Sequence, residues 1–179
     1  MPKLKVPVSS EDHIQGDKNA LITFVEYGDY ECPFCKKAYP IAKKIEEIFH
    51  THVRFVFRNF PLLEIHRHAE MAAEAAEFAD TYKCFWEMHY LIFENQNKLS
   101  QPLLLELGTT LNLPSEELDI VIQKKTFASK IRNDFLGGVK SGVNGTPTFF
   151  INDERFNGSP YELENTIREA VEKLEFRRF

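Results

Sequence analysis

Cysteine, long apolar runs and excess positive charge are all scarce in this chain of 179 residues. Three cysteines are too few for the disulfide framework of a small secreted domain. No run approaches the roughly 18 apolar residues that mark a transmembrane helix. A formal net charge of −5 offers no basic field to attract nucleic acid. Since 43% of the residues are hydrophobic, we predict one globular domain over residues 1–179, without membrane insertion and monomeric.

A secretory leader is also lacking, because the first residues of the chain contain no apolar segment of the kind that signal peptides have. The sequence as it stands therefore predicts a cytoplasmic protein. A periplasmic or other extracytoplasmic location is the alternative if a leader has been trimmed from the sequence.

The clearest chemical signal is Cys32-Pro33-Phe34-Cys35, which lies between a predicted strand at residues 21–27 and a predicted helix. Proline suits the first position of a helix, so Pro33 places Cys32 at the N-cap and Cys35 in the first turn. Unpaired N–H groups and the positive end of the helix dipole favour a thiolate at Cys32. We therefore predict an exposed nucleophile at Cys32, with Cys35 as the less exposed thiol that resolves the mixed disulfide.

Three other interpretations of the two cysteines stay open at this point. A zinc site needs two further ligands, and nothing in the sequence ties Cys84 or the histidine pairs at 50/52 and 66/68 to this turn. A structural disulfide between such close neighbours closes almost no loop and adds little stability. The third interpretation is a pair of free cysteines without a chemical role.

The pattern around these cysteines predicts a βαβ unit. Helical periodicity continues to about residue 49, and strict alternation at residues 53–58 predicts a second strand, parallel to the strand at 21–27. Residues 3–8 predict an edge strand, since Pro7 is tolerated only at the edge of a sheet, and a polar stretch follows.

The rest of the chain predicts helices first and strands later. Residues from about 64 to 142 show no strand pattern and predict an all-helical insertion. Strands return at residues 148–151 and 155–157, and a capping box at Ser159 predicts a last helix. The predicted order is therefore βαβ, helical block, ββα.

Together these features resemble the DsbA-like branch of the thioredoxin superfamily over roughly residues 20–175. The matching segments, beyond the two cysteines, are residues 24–27, 57–62, 85–89 and 144–151, with Pro40 after the second cysteine and His66 before an alanine-rich helix. The resemblance implies an α/β thioredoxin fold with a long all-helical insertion between its halves. It also implies thiol–disulfide exchange with protein or small-thiol substrates and a redox partner, through a redox-active Cys32–Cys35 disulfide and with no metal or other cofactor.

The resemblance further implies roles for residues that precede the second group of strands. It implies that Pro147 follows a cis peptide bond, which would leave the Thr146 backbone beside the disulfide and able to pair with an extended substrate. The predicted substrate-binding residues are Pro33, Phe34, Thr146 and Pro147.

Glu26 is the third predicted catalytic residue. It shares a predicted pleat face with Ile22 and Phe24, in a strand that we expect to be covered on both sides. A buried carboxyl has a raised pKa and could relay the proton of Cys35. The resemblance favours this role over a solvent-facing acid, because an acid commonly occupies this position in the family.

Two other function classes remain as alternatives. A kappa-type glutathione-dependent transferase or isomerase shares the inserted fold but needs no resolving thiol. A non-enzymatic, redox-regulated module would use the groove beside Pro147 to hold peptides. The direction of exchange also stays open, because Phe34 stands where strongly oxidising relatives often carry histidine.

Overall fold

A five-stranded mixed sheet forms the centre of the structure, a computed structural model that describes residues 2–176. The strands, in chain order, are β1 (His13–Gly16), β2 (Ile22–Gly28), β3 (Val53–Asn59), β4 (Thr148–Ile151) and β5 (Glu154–Arg155). Their order across the sheet is β1-β3-β2-β4-β5, with β2 parallel to β3 and the other neighbours antiparallel. The predicted parallel pair is confirmed. Of the predicted domain 1–179, residue 1 and residues 177–179 lie outside the described range.

Seven α-helices accompany the sheet within residues 2–176. They are α1 (Pro33–Phe49), α2 (Ala69–Thr81), α3 (Phe85–Glu94), α4 (Gln101–Thr110), α5 (Ser115–Lys124), α6 (Ala128–Lys140) and α7 (Leu163–Phe176). Helices α2 to α6 all lie between β3 and β4, so the predicted order βαβ, helical block, ββα is confirmed. Among the helices of this described range, none has both the length and the apolar composition to cross a bilayer.

The two faces of the sheet carry separate apolar clusters, because successive side chains of a strand point to opposite sides. Ile22 and Phe24 of β2 belong to the larger cluster, together with buried residues of α1, α7 and the inserted helices. Val25 and Tyr27 belong to a smaller cluster on the opposite face. By the same alternation, Glu26 points to the face that α1 covers, which is where the sequence placed it.

The predicted edge strand at residues 3–8 is wrong. In that segment Lys3 forms an isolated bridge with Glu154, and the edge strand is instead β1, which lies in the polar stretch that follows. The reason is that the carbonyl oxygens of Val6 and Pro7 accept hydrogen bonds from the Arg58 guanidinium at 2.9 and 3.0 Å. Backbone pairing to the sheet is therefore confined to the start of the segment, where the Leu4 N–H donates to the Asp153 carbonyl oxygen at 2.8 Å.

The C-terminal elements differ from prediction only in their bounds. The last strand, β5, covers Glu154–Arg155. It therefore begins one residue before the predicted strand at 155–157 and ends two residues earlier. The capping box at Ser159 is present, and it opens a short 3-10 helix, Pro160–Glu162, that leads into α7.

Candidate active site

Cys32 and Cys35 lie at the start of α1, both as unbridged thiols. Cys32 is the N-cap residue, with an extended backbone (φ −70°, ψ 122°), and Pro33 is the first helical residue, as predicted. The expectation that Cys32 is exposed is wrong, since it is only 3% exposed, and Cys35 is fully buried. The physical reason is a distant loop: the Cys32 thiol donates a hydrogen bond to the carbonyl oxygen of Thr146 at 3.3 Å.

The surroundings of Cys32 favour its thiolate. The hydrogen bond from the Cys35 thiol is the largest influence and lowers the pKa of Cys32, while burial opposes it. The Thr146 hydroxyl and the backbone N–H groups of Cys35 and Phe34 lower the pKa further, to about 5. These N–H groups belong to the start of α1, where a helix leaves its donors unpaired. Cys32 therefore carries a negative charge at neutral pH.

The surroundings of Cys35, by contrast, favour its protonated form. Burial raises the pKa of Cys35 well above its ordinary value, and the hydrogen bond to Cys32 and the negative charges of Glu26 and Cys32 raise it further. The backbone N–H of Asp29 donates to the Cys35 sulfur at 3.4 Å and offsets this in part. The site thus pairs one thiol that ionises readily with one that keeps its proton.

Glu26 is the buried acid of the site. It is 2% exposed, and burial first, then the negative charge of Cys32, raises the pKa of its carboxyl to about 8. Its Oε1 atom has no hydrogen-bond partner in the part of the chain that the structure describes. A buried acid left without a partner is costly for folding, and groups with such shifted pKa values are concentrated at functional sites.

The loop before β4 faces the Cys32 sulfur. Its Thr146–Pro147 peptide bond is cis, which confirms what the family resemblance implied. The Arg155 guanidinium holds the loop by donating to the Gly142 carbonyl oxygen at 2.7 Å. The Thr146 Oγ1 atom has no hydrogen-bond partner within residues 2–176, so its hydrogen remains available to a Cys32 thiolate.

The two residues between the cysteines are at the surface. Pro33 is exposed, and Phe34 is 66% exposed despite its large apolar ring. The ammonium group of Lys37 lies 5.7 Å from the centroid of that ring. An exposed aromatic ring therefore lies two residues from a buried nucleophile.

Sequence reasoning missed the two acids in the turn before Cys32. The Asp29 carboxylate accepts hydrogen bonds from the Leu62 backbone N–H and from His66 Nδ1, both at 2.8 Å. The Glu31 carboxylate likewise binds His68 Nδ1 at 2.8 Å. A signal was present, since two acids two residues apart precede two histidines with the same spacing. Each pair is separated by 37 residues, however, and no local pattern joins them.

Gln96 was also missed. It lies in the short 3-10 helix Gln96–Lys98 after α3, and its amide nitrogen donates to the carbonyl oxygens of Tyr30 and Cys32, each at 2.9 Å. No feature of the sequence around Gln96 pointed to this contact. The inserted helices are thus joined to the turn that carries the nucleophile.

The third cysteine does not join the pair. Cys84 is half-buried ahead of α3, and its thiol donates to the Ala79 carbonyl oxygen at 3.4 Å. Nowhere between residues 2 and 176 do three or more histidine, cysteine, aspartate or glutamate side chains form a group that could hold a metal ion. The zinc interpretation therefore has no ligand set in this range.

A helix that starts at Cys-x-x-Cys, faced by a cis-proline loop and interrupted by inserted helices, defines a class of thioredoxin-like proteins. A family model described as thioredoxin matches residues 9–172, and the chain belongs to this family. The crystal structure of oxidised BdbD from Bacillus subtilis matches with a TM-score of 0.83 and 29% identity, over 93% of this chain and 94% of that one. The DsbA-like thioredoxin fold is therefore confirmed, and the likeness supports thiol–disulfide exchange as the general chemistry.

Two further comparisons concern fold and length. α-DsbA1 from Wolbachia pipientis matches with a TM-score of 0.83 over 98% of each chain, and at 23% identity this shows the fold alone. A sequence relative named Na(+)/H(+) antiporter NhaA 1, from Salinispora arenicola, is 41% identical over 162 residues, which is 90% of this chain and 24% of that protein. The chain thus spans about a quarter of that relative, whose name describes the whole protein.

Proposed function

We propose that this protein is a protein thiol–disulfide oxidoreductase in which Cys32 forms a mixed disulfide with a client and Cys35 resolves it. The observation that carries this proposal is the Cys32 thiol at the N-cap of α1, with its pKa lowered to about 5 beside a second, fully buried thiol. The thiolate is the reactive form of cysteine, and a neighbouring thiol that keeps its proton cannot compete for the first attack.

The exchange has two steps. In the reducing direction the Cys32 thiolate attacks one sulfur of a client disulfide, forms a new S–S bond with it and expels the other client sulfur as a thiolate. Cys35 then loses its proton and attacks the Cys32 sulfur, and the client leaves as a second thiolate. Two electrons pass from the dithiol to the client, and the oxidising direction is the reverse of these steps.

Glu26 is the group that we assign to accept the Cys35 proton. The negative charge of Cys32 is the second of the two causes that raise the pKa of Glu26. In the mixed disulfide this charge is absent, so the Glu26 carboxyl ionises more readily when Cys35 must be deprotonated. The same coupling returns a proton to Glu26 once Cys32 is again a thiolate.

The favoured direction that we propose is the oxidation of client dithiols. With a pKa of about 5, Cys32 stabilises the reduced protein at pH 7 by about 3 kcal/mol relative to an ordinary cysteine, which is about 60 mV in a two-electron couple. A more stable dithiol makes the corresponding disulfide a stronger oxidant. This direction fits an extracytoplasmic location, where disulfides persist.

The client that the surface supports is an extended protein segment. Thr146 offers backbone groups next to the Cys32 sulfur, and an extended chain binds through such groups by adding a strand. The exposed Phe34 ring and the adjacent Pro33 provide apolar contact beside them. Pro147 completes this surface, with a second redox protein as the partner that restores the disulfide.

The test compares the wild-type protein with Cys32→Ser and Cys35→Ser in the oxidation of a reduced client protein and in the reduction of insulin. We expect Cys32→Ser to abolish both activities, because no other thiol of the site can form the mixed disulfide. We expect Cys35→Ser to accumulate a covalent complex with the client, visible on a non-reducing gel and lost with reductant. Activity that survives Cys32→Ser would contradict the mechanism.

The same variants separate the alternative functions. A kappa-type transferase would keep its activity with glutathione in Cys35→Ser, since that chemistry needs no resolving thiol. A binding module would retain peptides in the Cys32→Ser variant and would exchange no disulfide in the wild type.

A further inference from the structure

Gln96 contributes both hydrogens of its amide nitrogen to the turn that carries the nucleophile. It donates to the Tyr30 carbonyl oxygen and to the Cys32 carbonyl oxygen, each at 2.9 Å, while it is itself only 8% exposed. A planar amide that spans two carbonyl groups fixes their relative direction. The Tyr30–Glu31 and Cys32–Pro33 peptide units are therefore oriented from outside the turn.

The other backbone groups of Cys32 are occupied as well. Its N–H donates to the Asp29 carbonyl oxygen at 3.1 Å, and its carbonyl oxygen also accepts the Lys36 N–H at 3.2 Å, the first hydrogen bond of α1. Gln96 is the side chain that reinforces this carbonyl. These constraints fix the direction of the Cys32 Cα–Cβ bond, from which the sulfur extends.

Two neighbouring contacts also join the insertion to this part of the chain. Asn97 accepts a hydrogen bond from the Lys36 ammonium at 3.0 Å, which joins the 3-10 helix to α1. The Tyr30 hydroxyl is hydrogen-bonded to His89 Nδ1 of α3 at 3.0 Å. The insertion therefore contacts the turn and the first turns of α1 at three points, and the Gln96 contact is the one that reaches the backbone of Cys32.

From this arrangement we infer that Gln96 is a positioning residue of the exchange reaction: its amide directs the Cys32 sulfur toward the unpaired N–H groups of α1 and offsets the dipole of the Cys32 carbonyl group. The inference rests on the proposed function, since it gives a distant side chain of the insertion a part in activating the nucleophile. Gln96 touches neither the sulfur nor the client.

The test measures the ionisation of Cys32 in Gln96→Met, which keeps the length of the side chain and removes its donors. Burial raises the pKa of Cys35 and of Cys84, so the first rise in ultraviolet thiolate absorbance belongs to Cys32. We expect its midpoint to rise by about one pH unit, a tenfold change in the ionisation constant. Alkylation by iodoacetamide at about pH 5 should then slow severalfold and remain unchanged at about pH 8.

Gln101→Met is the matched control. Gln101 lies on α4 of the same insertion, and its amide donates to Asp119 Oδ1 at 2.6 Å. This variant also loses a glutamine hydrogen bond, yet we expect the Cys32 midpoint to stay at its wild-type value. A purely structural role for Gln96 would lower the free energy of unfolding in both variants and move the midpoint in neither.

Gln96→Glu provides a second measurement if Gln96→Met fails to fold. It keeps the shape of the side chain but offers at most one hydrogen in place of two, and only while its carboxyl group is protonated, so the Cys32 midpoint should again rise. If a folded variant kept the wild-type midpoint and alkylation profile, while the wild-type protein exchanged disulfides as proposed, this inference would be overturned and the proposed function would stand. A wild-type protein without a low first midpoint would instead contradict the proposed function.

Discussion

Glu26 and Arg58, two buried ionisable side chains on neighbouring strands, lie on opposite faces of the sheet in opposite surroundings. Arg58 is 3% exposed and donates to both Asp12 carboxylate oxygens at 2.7 and 2.9 Å, to the Tyr27 hydroxyl and to two backbone carbonyls. Glu26 is equally buried, and its Oε1 atom has no partner in the described chain. The fold satisfies one buried charge completely and leaves the other with its pKa raised to about 8.

The contrast between the contacts of Arg58 and those of Glu26 indicates different roles for the two faces of the sheet. A buried ion pair with every donor satisfied fixes geometry and resists titration, because removing either partner leaves an uncompensated charge. It ties the N-terminal segment to the sheet. A buried acid without a partner is costly for folding once it ionises, and it titrates close to neutral pH, which suits a group that must accept and return a proton. The face with Arg58 is structural, and the face with Glu26 is the one to which we assign the chemistry.

The largest expected effect is a loss of stability when the ion pair between Arg58 and Asp12 is broken. Arg58→Met leaves Asp12 buried without its partner, and we expect the free energy of unfolding to fall by about 3–5 kcal/mol in urea titrations. Arg54→Met is the matched control on the same strand, where a half-exposed guanidinium binds Thr23 Oγ1 at 2.9 Å, and should cost about 1 kcal/mol. The Cys32 midpoint should not move in either variant, and equal losses of stability in the two would refute the comparison.

The next largest effect is expected on the rate of resolution when the unpaired acid Glu26 is replaced. Glu26→Gln should slow the resolution of a mixed disulfide by about 10- to 100-fold, because the Cys35 proton then lacks an acceptor. The measurement is the release of client from preformed complex in stopped-flow experiments. Glu46→Gln, at a half-buried acid on α1, is the control and should leave the rate unchanged. An unaffected rate in Glu26→Gln would remove Glu26 from the mechanism.

The same substitution has a signature in the pH dependence of stability. In the folded, reduced protein Glu26 holds its proton up to about pH 8, whereas the unfolded chain releases it at about pH 4.3. The wild-type protein therefore loses stability as the pH rises between these values. Glu26→Gln should be more stable by about 1–3 kcal/mol above pH 8 and show little advantage at about pH 4.

A smaller effect is expected at the loop that faces the nucleophile. Thr146→Val removes the hydroxyl that lowers the pKa of Cys32, and the thiolate midpoint should rise by about one pH unit, equivalent to about 1.4 kcal/mol. Thr148→Val is the control at the first residue of β4, since Thr148 Oγ1 donates to the Gly145 carbonyl oxygen of the loop at 2.7 Å and not to Cys32. A midpoint that moves equally in both variants would assign the shift to the loop as a whole.

Regular elements could be predicted well wherever a local pattern coincided with the final packing. The helix that starts at Pro33, the strand at Val53–Asn59 and the helical block follow from caps and periodicity, and all three formed. The edge strand β1 was missed because His13–Gly16 has little apolar character. This segment forms a strand because it pairs with β3, and not because its residues favour a strand. Residues 3–8 looked more like a strand, but the Arg58 side chain occupies their carbonyl groups.

The candidate site divides in the same way. Both cysteines, Glu26 and the Thr146–Pro147 loop could be named from motif and resemblance. Gln96 and the acids Asp29 and Glu31 could not, because their partners lie far away in sequence: 64 residues for Gln96 and Cys32. Such contacts leave no periodic trace along the chain.

The sequence by itself determined the order of elements and the N-cap position of Cys32, because caps and strand alternation depend on residues within one or two turns of each other. The tertiary structure decided how burial and distant groups shift the pKa of each side chain. The Thr146 loop, 114 residues from Cys32, covers the thiol that the sequence left exposed, and packing of α1 over the sheet removes water from Glu26. At Cys32 these distant effects add to the local ones of the Cys35 thiol and the first N–H groups of α1, and only the folded chain brings the two together.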